Sequence, residues 1–217
     1  MSARTLLFAS HNAGKLRELR ALLPGHQIIG LSELSPPPEP VEESAPDLSG
    51  NAALKALAGA ALTGHLCLAD DSGLEVDALD GAPGVRSARY APGSDSDRNQ
   101  ALLRALDGIP EGPERGARFR CVLALADPLR APTRSEEELP PGIRRGERCD
   151  FAEGTLEGEI ALTSRGAGGF GYDPLFKLPD GRRLAELSGD EKNQISHRGR
   201  ALEQIRPLLL RALKATP

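Results

Sequence analysis

Short apolar runs of strand length alternate with longer stretches of helical periodicity along this chain of 217 residues. Apolar or β-favouring runs predict strands at 5–9, 27–31, 66–69, 118–126, 149–162 and 175–177. Helical spacing with caps or breakers at the ends predicts helices at 15–23, 48–62, 97–106, 190–196 and 198–213. Such an alternation builds a mixed sheet covered by helices, so we expect an α/β fold.

Composition favours a globular protein that binds a small ligand. Hydrophobic residues make up 39% and charged residues 27% of the chain, as in ordinary folded domains. We expect residues 1–217 to form a single domain. The formal net charge of −4 argues against nucleic-acid binding by broad phosphate neutralisation. No apolar run approaches the roughly 20 residues of a membrane helix, and no signal peptide is evident, so we expect a cytoplasmic protein without membrane contact.

Three further segments carry structural expectations. In the helix 48–62, residues Leu54, Leu57, Ala58, Ala61 and Leu62 are predicted to form the buried stripe. Segment 35–46 holds five prolines and three acidic residues, and segment 127–147 has no periodicity, so both are predicted to be surface loops. Cys67 and Cys121 stand in apolar runs and are predicted to be core residues, since the three cysteines show no metal-site spacing.

The turn S-H-N-A-G-K joins the first strand to the first helix. Its backbone amides, its asparagine and its lysine stand at a helix N-terminus, which suits an anionic phosphate. The spacing is not that of a P-loop. A plain helix cap with an exposed lysine explains the turn equally well.

Two adjacent carboxylates, Asp70 and Asp71, follow the apolar run L-C-L-A. Carboxylates in such a place are costly unless cations compensate them. Neighbouring strand residues point to opposite faces, so one acid is expected to be structural and the other to face a ligand. A magnesium ion between carboxylate and phosphate oxygens would account for the pair. The alternative is an Asp-Ser-Gly turn that caps the next segment.

Two C-terminal motifs have the chemistry of a ligand site. The segment G-A-G-G-F-G-Y-D-P brings backbone close to a flat ligand and offers Phe170 or Tyr172 for stacking. Lys192, His197 and Arg198 cluster around a predicted helix break and are rich in donors for a polar ring edge. Each motif alone has an ordinary structural explanation. Together, on different loops of one α/β fold, they predict a nucleotide or another phosphorylated ligand.

The motifs SHNAGKLREL, NAALKA, LADDSGLEVDALDGAPGVRSARYA, GGFGYDPLF and AELSGDEKNQISHRGRAL closely resemble the inosine triphosphate pyrophosphatase family, in particular its bacterial dITP/XTP pyrophosphatase branch. The resemblance runs in the family's order from residue 6 to about residue 213. It implies two lobes around a long twisted mixed sheet with the substrate in a cleft between them, and a homodimer. It also implies Mg²⁺-dependent hydrolysis of ITP, dITP and XTP to the monophosphate and pyrophosphate.

The resemblance also assigns site residues by position. It makes Asp71 the proton acceptor and, with Glu43, a metal ligand. The implied substrate contacts are Ser10, His11, Asn12, Ala13, Gly14, Lys15, Lys55, Ser72, Phe170, Gly171, Tyr172, Asp173, Lys192, His197 and Arg198. Lys192, His197 and Arg198 are expected to donate to the 6-oxygen of the base, which adenine lacks.

Two departures from the family pattern stand out. Gly50 replaces the acidic residue that the family usually carries before Asn51, and the loop 127–147 is longer than usual. Two other functions stay open at this point. One is a related Maf-like nucleotide pyrophosphatase, which the S-H-N-A-G-K and SHRGRAL motifs fit poorly. The other is a catalytically inactive nucleotide-binding regulator, which would not need Asp71, Glu43 and Lys15.

Overall fold

In the part of the chain that the structure describes, eight strands form a mixed sheet. The computed structural model describes residues 4–129, 142–146 and 148–214. The strands are β1 Leu6–Phe8, β2 Ile28–Gly30, β3 Leu66–Val76, β4 Pro83–Gly84, β5 Gly116–Ala126, β6 Ile143–Arg145, β7 Asp150–Ile160 and β8 Phe176–Lys177. Their order is β2-β1-β3-β5-β7-β6, with β4 beside β3 and β8 beside β7. The pairs β1–β2 and β1–β3 are parallel, whereas β4, β6 and β8 pair antiparallel with their neighbours. The α/β prediction is confirmed.

Five α-helices accompany the sheet in the described residues. They are α1 Ala13–Leu22, α2 Leu48–Thr63, α3 Asp95–Ala105, α4 Gly189–Ile195 and α5 His197–Lys214. Side chains cap several of them: Asn12 begins α1, Asp47 begins α2, and Ser94 forms a capping box with Asp97 at the start of α3. No helix of the described chain is both long enough and apolar enough to cross a membrane.

The chain divides into two compact units, each with its own core. Unit 1 comprises residues 1–71, 121–154 and 198–217, and unit 2 comprises residues 72–120 and 155–197. Apolar residues of β1, α1 and α5, including Phe8, Leu19 and Leu209, fill the core of unit 1. Leu74, Leu102 and Phe176 belong to the core of unit 2. Strands β3, β5 and β7 each contribute residues to both units.

The predicted buried face of α2 is wrong. Leu54 and Leu62 are 39% and 60% exposed, whereas Asn51, Ala52, Ala56, Gly59 and Ala60 are buried. A methyl group added at Gly59 would lie 2.7 Å from Cys67 Sγ. The space beside the sheet is therefore too narrow for leucines, and small residues line it.

The loop predictions have different outcomes. Segment 35–46 contains no helix or strand, as expected. The predicted loop 127–147 falls partly outside the described residues, at 130–141 and 147. Within its described part, Ile143–Arg145 forms strand β6 and pairs with β7, so this portion is sheet and not loop. Backbone hydrogen bonds between β6 and β7 outweigh the weak local pattern. Cys67 and Cys121 are buried, as predicted for core residues, and Cys149 is buried as well.

Candidate active site

Asp70 and Asp71 lie in the middle of strand β3 and not in a turn. The strand continues through Ser72 and Gly73 to Val76, so the alternative of an Asp-Ser-Gly turn is wrong. Both carboxylates are largely buried, at 1% and 6% exposure. A strand can hold two buried acids only where cations neutralise them, and unit 1 supplies those cations.

Asp70 is held by two cations. Lys15 Nζ lies 2.8 Å from Asp70 Oδ2, and the Arg198 guanidinium donates to the same oxygen from Nη2 at 3.0 Å and from Nε at 3.2 Å. Burial opposes ionisation, but Lys15 and Arg198 together hold the pKa of Asp70 well below its usual range. Asp70 is thus a structural acid that stays charged at neutral pH.

Asp71 has a different environment. Lys55 Nζ lies 2.8 Å from Asp71 Oδ1 and 2.8 Å from Glu43 Oε1, so one ammonium group bridges two acids. Asn51 Nδ2 donates to Asp71 Oδ2 at 3.3 Å. Burial raises the pKa of Asp71 and outweighs the opposing charge of Lys55. A carboxylate with a raised pKa is a better proton acceptor, which fits the role that the family resemblance gives to Asp71.

Helix α2 and the proline-rich segment 35–46 supply the residues that surround Asp71. Asn51 and Lys55 are one helical turn apart and face β3. Asn51 Oδ1 also accepts from Ala45 N at 3.0 Å, which fastens the loop that carries Glu43. Burial lowers the pKa of Lys55, but Asp71, Asp70 and Glu43 overcome this effect and raise it. Asn51 was not among the predicted site residues, although its i, i+4 spacing to Lys55 was a usable signal.

The S-H-N-A-G-K turn is both a helix cap and a source of positive charge. Asn12 Oδ1 accepts from Lys15 N at 3.0 Å, and Ser10 Oγ accepts from Asn12 N at 3.2 Å. His11, Asn12 and Ala13 are exposed, while Ser10, Gly14 and Lys15 are half-buried. The turn therefore presents the positive end of α1 next to the lysine that neutralises Asp70.

The glycine loop, Gly169–Asp173, lies in unit 2 with two of the predicted basic residues. Lys192 Nζ is 2.6 Å from Asp173 Oδ2 and 4.5 Å from the centre of the Phe170 ring. His197 stacks on Phe119 with ring centres 4.9 Å apart and an angle of 13° between the planes. Tyr172 donates its hydroxyl hydrogen to Ser87 O at 2.9 Å and is buried, so its ring is a core element and not an exposed stacking face.

The third predicted basic residue, Arg198, contacts acidic side chains. It belongs to unit 1, it is 1% exposed, and its guanidinium contacts Asp70 and Glu18. This geometry argues against the expectation that Arg198 reads the base, because two carboxylates already engage its donors. Ser72, which follows Asp71 in β3, is half-buried.

The donor set around Asp71 fits a magnesium ion. Glu43 and Asp71 present hard carboxylate oxygens, and their side chains are 26% and 9% exposed. Within the described residues, no group of three histidines, cysteines or acids could hold a metal alone. Phosphate oxygens of a substrate and water would have to complete the shell, which is how proteins usually bind Mg²⁺.

The fold and this site define an α/β protein with a buried acid–lysine cluster on its central strand. The model of the Ham1 family matches residues 6–208, and the chain belongs to this family. A dITP/XTP pyrophosphatase from Desulforamulus reducens is 46% identical over 95% of this chain and 96% of the relative. The relative of the same description from Symbiobacterium thermophilum is 46% identical over 93% of each chain.

Solved structures agree with the family assignment. The HAM1 protein of Coxiella burnetii is 41% identical, with a TM-score of 0.76 over 96% of this chain and 99% of that structure. The Ham1 protein of Staphylococcus aureus is 36% identical, with a TM-score of 0.75 over 95% of this chain and 98% of that structure. The Maf-like alternative has no support from these matches.

Proposed function

We propose that this protein hydrolyses deaminated purine nucleoside triphosphates, namely ITP, dITP and XTP, to the monophosphate and pyrophosphate. The observation that carries the proposal is that the two acids of β3 have different partners and different pKa shifts. Asp70 is locked by Lys15 and Arg198, whereas Asp71 is held by a lysine and an amide and has a raised pKa. The names of the relatives supply the substrate class.

In this mechanism, Asp71 orients a water molecule and accepts its proton as the water oxygen attacks the α-phosphorus. The bond from the α-phosphorus to the bridging oxygen breaks, and pyrophosphate leaves with its electron pair. Lys15 and Lys55 stabilise the charge that develops on the phosphates. Mg²⁺, held by Asp71 and Glu43, supplies further charge neutralisation when it is bound. The turn Ser10–Lys15 binds the triphosphate at the N-terminus of α1.

Base recognition falls to unit 2 in this proposal. Phe170 stacks on the purine, backbone groups of Gly171 to Asp173 contact the nucleoside, and Lys192 and His197 donate to the 6-oxygen. Lys192 is already oriented by Asp173, which reduces the entropy lost on binding. Ser72 contacts the substrate beside Asp71.

The test is product analysis with wild type, with Asp71→Asn and with a control variant at another aspartate. Wild type incubated with ITP and Mg²⁺, without any added pyrophosphatase, should give IMP and pyrophosphate in phosphorus NMR. Asp71→Asn should lower kcat by about 10²–10⁴. Asp77→Asn, which removes an acid whose side chain is 51% exposed, should keep near-wild-type turnover. Formation of IDP and orthophosphate, or full activity of Asp71→Asn, would contradict the proposal. Binding of ITP without any turnover would favour the inactive regulator.

We further propose that the protein acts in the cytoplasm as a homodimer. This proposal rests on the resemblance to the inosine triphosphate pyrophosphatase family. Sedimentation equilibrium of the full chain should give twice the mass of 23.0 kDa. A mass of one chain at micromolar concentration would contradict it.

A further inference from the structure

Two side chains of helix α3 hold the backbone N–H and the backbone carbonyl of Gly171. Gly171 N donates to Asp95 Oδ2 at 2.6 Å, and Asn99 Nδ2 donates to Gly171 O at 3.0 Å. Asp95 and Asn99 are one helical turn apart, so their side chains reach the loop together.

The glycine loop needs this support because of its conformation. Gly171 has a φ of +63°, and a methyl group there would meet nothing within 4 Å. Gly171 is half-buried, and its backbone lies in a region that only glycine adopts easily. The next two residues are fixed separately, Tyr172 by Ser87 and Asp173 by Lys192.

Asn99 is a costly choice for stability alone. It is 7% exposed, and within the described residues its Oδ1 is buried without a hydrogen-bond partner. Leaving an amide oxygen unsatisfied costs free energy that an apolar residue of similar size would avoid. The hydrogen bond from Asn99 Nδ2 to Gly171 O explains why an asparagine occupies this position in spite of the lost stability.

We infer that Asp95 and Asn99 are positioning residues for nucleoside binding, which clamp the backbone on both sides of the Gly171 Cα so that Phe170 is presented to the purine. The inference rests on the proposed function, which places the nucleoside at this loop. Neither residue touches the substrate. Their effect is on how tightly the substrate binds and not on the chemistry at phosphorus.

Kinetics with matched variants test the clamp. Asn99→Leu and Asp95→Ala should each raise KM for ITP about five- to tenfold, the value of one hydrogen bond, with kcat within about twofold. Asp95→Asn keeps an oxygen acceptor for Gly171 N and should restore KM to near the wild-type value. Asp97→Ala removes the capping box at the same end of α3 without touching the loop, and should lower the melting temperature but not raise KM.

A second readout needs no substrate. The chain has no tryptophan, so Phe170→Trp gives a single reporter on the glycine loop. Acrylamide should quench Trp fluorescence more strongly when Asn99→Leu or Asp95→Ala is added, and not when Asp97→Ala is added. If wild type hydrolyses no ITP, the proposed function fails while quenching still tests the clamp. Unchanged KM and unchanged quenching in both clamp variants, or an equal KM rise in Asp97→Ala, would overturn the inference.

Discussion

At the scale of single residues, two neighbouring aspartates have opposite electrostatic roles. Lys15 and Arg198 lower the pKa of Asp70 in spite of its burial, whereas burial dominates at Asp71 and raises its pKa. Alternation along a strand predicts that the two side chains differ, but not which one is structural. That assignment depends on Lys15, Lys55 and Arg198, which are distant in sequence, and so it required the fold.

The two acids should therefore differ in their effect on stability. Asp70→Asn leaves Lys15 and Arg198 without their shared carboxylate, and should lower the free energy of unfolding by about 3–5 kcal/mol. Asp71→Asn removes a charge that the site disfavours, and Lys55 keeps Glu43, so the loss should stay below about 1 kcal/mol. Urea unfolding followed by circular dichroism measures both. Equal losses in the two variants would contradict the assignment of roles.

The same difference gives a pH dependence. The folded state lowers the pKa of Asp70, so its ionised form contributes stability that is present above the unfolded pKa of about 3.9. This contribution is lost as the pH falls toward the lower, folded value. The slope of stability against pH below about pH 4 should be smaller in Asp70→Asn than in wild type. Identical slopes would show that Asp70 is not the charged partner of Lys15 and Arg198.

Replacement of Arg198 should lower activity toward different nucleotides equally and should not change the preference for one base over another. Because its guanidinium contacts Asp70 and Glu18, Arg198→Gln should lower kcat/KM for ITP and GTP by similar factors. His197→Ala, in unit 2, should change the ratio of the two values. Parallel kinetics with both nucleotides measure this. A tenfold change of the ratio in Arg198→Gln would restore the original expectation that this arginine reads the base.

At the scale of elements, local patterns predicted where most helices and strands lie but not which side of α2 is buried. Alanine and leucine occur all around this helix, so periodicity alone favoured the leucines. Asn51 and Lys55 decide the orientation, because they must reach Asp71. Likewise, the local pattern predicts that the acids of β3 end a strand, because the lysines and arginine that allow the strand to continue come from other elements. The clamp from α3 onto Gly171 had no sequence signal, because it depends on tertiary contact.

The orientation of α2 has a direct test. Leu62→Lys changes a residue that is 60% exposed, and should alter the free energy of unfolding by no more than about 0.5 kcal/mol. Gly59→Leu places a better helix former at a position where even a methyl group would lie 2.7 Å from Cys67 Sγ. It should cost about 3 kcal/mol or more through crowding. If Leu62→Lys were the more damaging change, the helix would have the opposite face buried.

At the scale of the whole molecule, neither unit is a continuous piece of chain. Unit 1 is made of three segments and unit 2 of two, and β3, β5 and β7 each carry residues of both. Each unit has its own apolar core. Two separate cores would allow each unit to unfold without the other. The three shared strands oppose this, because unfolding of one unit leaves half of each of these strands without order.

We expect the effect of the shared strands to outweigh that of the separate cores, so that the whole chain unfolds in a single transition. Each unit can be followed by its own probe. The thiols of Cys67, Cys121 and Cys149 report on unit 1, and the fluorescence of the Phe170→Trp variant reports on unit 2. Burial raises the pKa of the Cys67 thiol to about 12, so the native protein should react slowly with a disulfide reagent at pH 8. Across a urea series, the gain of three reactive thiols and the change in tryptophan fluorescence should share one midpoint within about 0.2 M. Separate midpoints would show that each core holds its unit together without the continuity of β3, β5 and β7.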